Sequence, residues 1–166
     1  MRKGAALPEQ LRRALEEWGG PLRHLQEARG RYTVARVELD KFRDELSSAA
    51  EEVARSCPEE LLAHVAELAR RAGLRPICVR AVVMHLHSGN CCIDIQVVVP
   101  DDDLLSPDFY RRSRSLIDRV YDGPLGSFLM DNTIWVLVVG DRQGADYVGK
   151  VYEPREEGSD REDEQR

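Results

Sequence analysis

Residues 77–99 read ICVRAVVMHLHSGNCCIDIQVVV, and this stretch decides the fold. Two runs of alternating apolar residues flank the turn-forming residues 88–90, which is the pattern of a β-hairpin. The apolar residues are even-numbered in the first run and odd-numbered in the second. A two-residue turn at 89–90 brings both sets to one face, because it pairs Leu86 with Ile93. We therefore predict this turn, with the apolar face of the hairpin in the core.

The same register predicts a patch of metal-ligand side chains on the other face of the hairpin. The patch consists of His85, His87, Cys92 and Asp94. Imidazole, thiolate and carboxylate groups together suit Zn²⁺ or a related transition ion. The alternative is that these residues form the polar, solvent-facing side of a half-covered sheet. We predict no cofactor, and Zn²⁺ is the ion that the metal-binding alternative would require.

Long segments on either side of the hairpin carry apolar residues at helical spacing. They predict helices over residues 8–18, 41–57, 59–72 and 107–121. Alternation of apolar and polar residues over 32–39 predicts a strand that precedes the second helix.

The C-terminal third of the domain predicts further strands. Residues 127–130 and 133–139 are expected to form a second hairpin, and residues 147–152 a short edge strand. The run 134–139 is apolar without alternation, which is typical of a central strand buried on both faces.

The predicted order of elements, with the first helix set aside, is β-α-β-β-α-β. This order predicts an α+β domain in which an antiparallel sheet has helices packed on one face. A ferredoxin-like sandwich is the economical arrangement of these elements. We assign residues 1–28 to an N-terminal helical extension, 29–152 to the single α+β domain, and 153–166 to an acidic disordered tail.

Composition restricts the classes of partner. The chain has 166 residues and a net charge of −6, and seven acidic and three basic residues lie from Glu153 onward. The remaining body is nearly neutral, which argues against nucleic acid as a partner. No apolar run approaches the roughly 20 residues that cross a bilayer, so no membrane insertion is expected. Four cysteines without a C-x-x-C pair, and no secretion signal, indicate reduced thiols in the cytoplasm.

Residues 87–107 combine a strand ending in Val-Val-Val-Pro, acidic residues and Ser-Pro, and residues 118–122 read DRVYD. These two segments resemble parts of the peripheral-arm subunit shared by respiratory NADH dehydrogenases and related hydrogenases. Ile117 stands where that family's motif begins with an acidic residue, and the third acidic position is missing. The resemblance assigns no family, but it implies an accessory subunit of a redox complex as one alternative.

No concentrated catalytic motif and no phosphate-binding glycine loop is present, so the sequence leans away from an enzyme. We expect a cytoplasmic, non-catalytic binding or interaction module that acts as a homo-oligomer or as a subunit of a larger complex. The alternatives are a transition-metal-binding protein or metalloenzyme that uses the hairpin patch, and the redox accessory subunit. Metal content would separate the first two classes, and co-purifying partners would identify the third.

Overall fold

The computed structural model describes residues 6–34, 39–86 and 90–155. The helices are α1 (Glu9–Glu17), α2 (Gly19–Val34), α3 (Leu39–Arg55), α4 (Glu59–Arg71), α5 (Asp101–Leu104), α6 (Phe109–Tyr121) and α7 (Pro124–Asp131). The strands are β1 (Cys78–His85), β2 (Cys91–Val99), β3 (Ile134–Gly140) and β4 (Tyr147–Tyr152). The predicted α+β class is confirmed. In the described part of the chain, no helix is both long enough and apolar enough to cross a membrane.

The four strands form one open, mixed sheet in the order β3-β2-β1-β4. Strand β1 is antiparallel to both β2 and β4, whereas β2 and β3 are parallel. The expectation of an antiparallel sheet is therefore wrong for the β2–β3 pair. The physical reason is that α5, α6 and α7 lie between these strands and return the chain to the end where β2 began. The ferredoxin-like arrangement is not confirmed.

Two segments that were expected to be strands are helical. Residues 32–34 form the end of α2, and residues 35–38 lie outside the described residues. Residues 127–130 belong to α7, so the second predicted hairpin is wrong. Helix α7 forms because a proline opens its first turn and because Leu125 and Leu129, four residues apart, are both buried on one side.

The helices pack on one face of the sheet and share one core with it. Helix α2 runs across residues 28–29, the expected junction between the extension and the domain, and Leu25 and Ala28 belong to the same core cluster as the strands. Trp18, between α1 and α2, donates a hydrogen bond from Nε1 to the carbonyl of Val53 at 3.1 Å. These contacts fix the first two helices against α3.

The hairpin exists, but its predicted register is wrong. Val83 pairs with Ile93, whereas the N–H of Leu86 donates to the carbonyl of Asn90 at 2.8 Å. Leu86 is 49% exposed and does not face Ile93. The reason is that Val82 and Val83 are both fully buried, on opposite faces of the sheet. Either face of β1 is therefore apolar enough to pack against the helices. In the structure, the odd-numbered residues of both strands lie in the core.

Candidate functional site

Among the residues that the structure describes, the helices pack against only one face of the sheet, and we call the other face the open face. Its members follow from the strand pairing, in which even-numbered residues of β1 and β2 lie beside odd-numbered residues of β3. They are Cys78, Arg80, Val82, Met84, Cys92, Asp94, Gln96, Val98, Trp135, Leu137 and Val139, together with Val148 and Val151 of β4, which pair with Val82 and Arg80.

Large apolar side chains are exposed along both outer strands of the open face. Trp135 on β3 is 50% exposed, and Leu137, Val148 and Val151 are each more than 40% exposed. The expectation that residues 134–139 form a central strand buried on both faces is therefore wrong, since β3 is at the edge of the sheet. The run 134–139 has the composition of a strand that is covered on both faces, and the helices of the described residues cover only one of them.

The middle of the open face is closely packed and carries polar side chains beside the buried Val82 and Val98. Gln96 and Asp94 are buried, and Arg80 donates from Nε to Gln96 Oε1 at 2.9 Å and from Nη2 to the carbonyl of Gln143 at 2.7 Å. Cys92 donates from Sγ to Asp94 Oδ1 at 2.9 Å. Burial raises the pKa of the Cys92 thiol to about 12 and also raises the pKa of Asp94. The open face thus carries one arginine and one carboxyl group on its two middle strands, between the apolar side chains of the outer strands β3 and β4.

The structure separates the predicted metal ligands. Cys92 and Asp94 are neighbours on the open face, but His85 lies on the helix side, where its Nε2 is 2.8 Å from Oγ of Ser47. His87 lies outside the described residues. Within the ranges that the structure describes, no group of three or more His, Cys, Asp or Glu side chains could hold a metal ion.

The structure also forms a cluster that the sequence did not suggest, made of Ser47, His85 and Asp146. Asp146 Oδ2 accepts a hydrogen bond from the backbone N–H of His85 at 2.6 Å and lies 3.4 Å from its Nδ1. The backbone hydrogen bond from His85 lowers the pKa of Asp146. The three residues come from α3, the end of β1 and the approach to β4. No spacing in the sequence signals such a long-range meeting.

Tyr121 closes part of the outer edge of β3. Its hydroxyl accepts a hydrogen bond from the N–H of Val136 at 3.0 Å and donates one to the carbonyl of Ile134 at 3.3 Å. An edge strand with free N–H and C=O groups is a template for pairing with another strand. Because α6 supplies a partner to these two groups, the face of the sheet is a more available contact surface than this edge.

Replacing Tyr121 with Phe should expose this edge. Removal of the hydroxyl leaves two backbone groups without their partner, at a cost of about 1 kcal/mol. We expect faster hydrogen exchange at the amide of Val136, measured by NMR or mass spectrometry. Tyr110→Phe is the matched control, since Tyr110 is exposed on the same helix. Unchanged exchange at Val136 would contradict the described edge contact.

Comparisons with known proteins do not place the chain in a family. No protein-family model matches it, and no curated protein or solved structure matches it. The functional argument therefore starts from the geometry of the chain itself.

Proposed function

We propose that this protein is an interaction module that forms a homodimer in the cytoplasm by packing the open faces of two copies together. The observation that supports this is the exposure of Trp135, Leu137, Val148 and Val151 on a sheet whose other face packs against the helices. Two sheets that pack face to face lie about 10 Å apart and bury their inner side chains between them. The four cysteines have free thiols, in keeping with a reducing compartment.

The order of side chains across the sheet favours a second copy as the partner. One row consists of Trp135, Asp94, Val82 and Val148, and the next consists of Leu137, Gln96, Arg80 and Val151. Both rows are apolar at the two ends. In the dimer, a two-fold axis parallel to the strands lies midway between the sheets of the two copies. It reverses the order of the residues in each row of the second copy. Trp135 then meets Val148 of the second copy, and Leu137 meets Val151.

The charges of the open face agree with the same arrangement. The two-fold axis sets β1 of one copy over β2 of the other, so that Arg80 lies opposite Gln96 of the second copy and diagonally across from its Asp94 in the neighbouring row. Opposite charges therefore approach each other at two places in the dimer. Each open face contributes one positive and one negative group, so neither sign of charge is in excess at the interface. Such self-complementarity is what an isologous interface requires.

Sedimentation of the purified protein tests the dimer. We expect a species of twice the 18.8 kDa chain mass. Trp135→Glu and Val148→Lys should each weaken the dimer by about 30-fold or more, because each buries a charge against an apolar residue at the interface. The two changes together should restore it, because each new charge meets its opposite on the second copy.

The rescue distinguishes this dimer from other associations. Trp135 and Val148 lie on opposite edges of one sheet, so their charges cannot pair within a chain. Leu105→Glu is the control, since this exposed leucine lies outside the sheet and should leave the dimer intact. A wild-type protein that remains monomeric at high concentration would overturn the proposal, and failure of the rescue would overturn the arrangement.

A further inference from the structure

We propose that Ser47 is a nucleophile that His85 activates, and that the Ser47–His85–Asp146 cluster cleaves small carboxylic esters. The cluster lies on the helix side of the sheet, away from the open face, so this activity does not depend on the dimer. It consists of a hydroxyl in hydrogen-bond contact with an imidazole and of a carboxylate 3.4 Å from the other ring nitrogen, which is the order of a serine nucleophile, its base and its orienting acid.

Asp146 positions the imidazole of His85. One oxygen of its carboxylate, Oδ2, accepts the backbone N–H of His85 at 2.6 Å and lies 3.4 Å from the ring Nδ1. The N–H of Asp146 in turn donates to the carbonyl of Val83 at 3.2 Å, which holds the aspartate beside β1. A carboxylate at Nδ1 favours the proton on that nitrogen. Nε2 is then the acceptor in the 2.8 Å contact with Ser47 Oγ.

The cluster is open to a small substrate. The side chains of His85 and Asp146 are 40% and 46% exposed, and Ser47 is half-buried. Cys91 is a second nucleophile that hydrogen-bonds to Ser47, but it is buried, and burial raises the pKa of its thiol. The thiol therefore stays protonated and shielded, which leaves Ser47 as the reactive group.

The reaction proceeds in two balanced steps. Ser47 Oγ attacks the carbonyl carbon of the ester while its proton moves to Nε2 of His85. The bond to the alcohol oxygen then breaks, and the departing alkoxide takes that proton. In the second step, water attacks the acylated serine with His85 as the base, and the carboxylic acid leaves as Ser47 recovers its proton.

The turnover should be slow. Ser47 lies in the interior of α3, where the backbone N–H groups are used by the helix itself. The oxyanion that forms during the attack therefore has no preorganised backbone donors from this helix. Loss of one such donor reduces kcat by roughly 10²–10³ in serine enzymes. An activated ester acylates the serine faster than water hydrolyses the resulting alkyl ester, because its alcohol is the better leaving group, so we expect the acylated serine to accumulate with such a substrate.

The full-length chain should be mixed with p-nitrophenyl acetate. We expect a burst of p-nitrophenolate close to one equivalent per chain, and peptide mass spectrometry should find the acetyl group on Ser47. Ser47→Ala should abolish both the burst and the label. His85→Gln should slow the burst by about 10²-fold or more, since it removes the base. Asp146→Asn should slow it less, since its carboxylate acts through His85.

Ser48→Ala is the matched control, because this exposed neighbour on α3 lies outside the cluster and should leave the burst unchanged. Circular dichroism of each variant separates loss of chemistry from loss of fold. A fluorophosphonate supplies a second measurement on the unchanged protein, where the adduct should map to Ser47. Absence of acetyl and phosphonyl groups on Ser47 in the folded wild-type chain, or an unchanged burst in Ser47→Ala, would overturn the proposal.

Discussion

Replacing Ile93 with Asp should unfold the protein. Ile93 is fully buried on the helix side of the sheet, between Val83 on β1 and Ile134 on β3. Loss of a buried aliphatic side chain costs about 2–5 kcal/mol, and an unpaired carboxylate in the same place adds to that cost. The sum is comparable with the whole stability of a domain, about 5–15 kcal/mol. Chemical denaturation followed by circular dichroism measures the loss.

Leu86→Asp is the matched control for this experiment. Leu86 follows the same hairpin strand, but it is 49% exposed, so its replacement should change stability by about 0.5 kcal/mol or less. The register predicted from sequence alone sets Leu86 against Ile93 and requires a large loss from both changes. Comparable destabilisation by the two substitutions would contradict the observed pairing.

The sequence specifies the hairpin better than it specifies the register. Apolar alternation and the glycine turn are local features, and they correctly locate β1 and β2. The register depends on which face the helices cover, and Val82 and Val83 suit either face. The observed pairing differs from the predicted one by three residues, and an odd shift exchanges the faces of one strand relative to the other.

That exchange explains the result for the predicted metal patch. Cys92 and Asp94 are two residues apart on one strand, so they share a face in any register. His85 depends on the pairing, and the shift moves it to the helix side beside Ser47. The partners of His85 come from elements 38 and 61 residues away. Local patterns carry no information on such contacts.

The helices show the same division between local and long-range information. Helices α3, α4 and α6 follow from long apolar stripes and from clear start and stop signals. Residues 127–130 include three consecutive apolar side chains, and a run this short fits a helix or a strand equally. Residues 32–34 alternate like a strand, but they continue α2, whose Leu25 and Ala28 are buried in the core. Tertiary packing therefore determines that both segments are helical.

The contact between β4 and α3 gives the second large effect, and Gly149→Ala tests it. A Cβ atom at Gly149 would lie 2.2 Å from the carbonyl carbon of Ala54 and 2.6 Å from the backbone nitrogen of Arg55. These are backbone atoms of a helix, so they cannot move aside as a flexible side chain would. Strand β4 and helix α3 must separate, and we expect a loss of about 3 kcal/mol or more.

Thermal unfolding provides the measurement, with Gly144→Ala as the control. A Cβ atom at Gly144 has no neighbour within 4 Å, so its midpoint should match that of the wild-type protein. The midpoint of Gly149→Ala should fall by roughly 6–12 °C for a chain of this size. Strand β4 also carries Val148 and follows Asp146, so the same change should weaken the proposed dimer and the ester chemistry. Equal midpoints for the two variants would show that α3 and β4 do not pack at this distance.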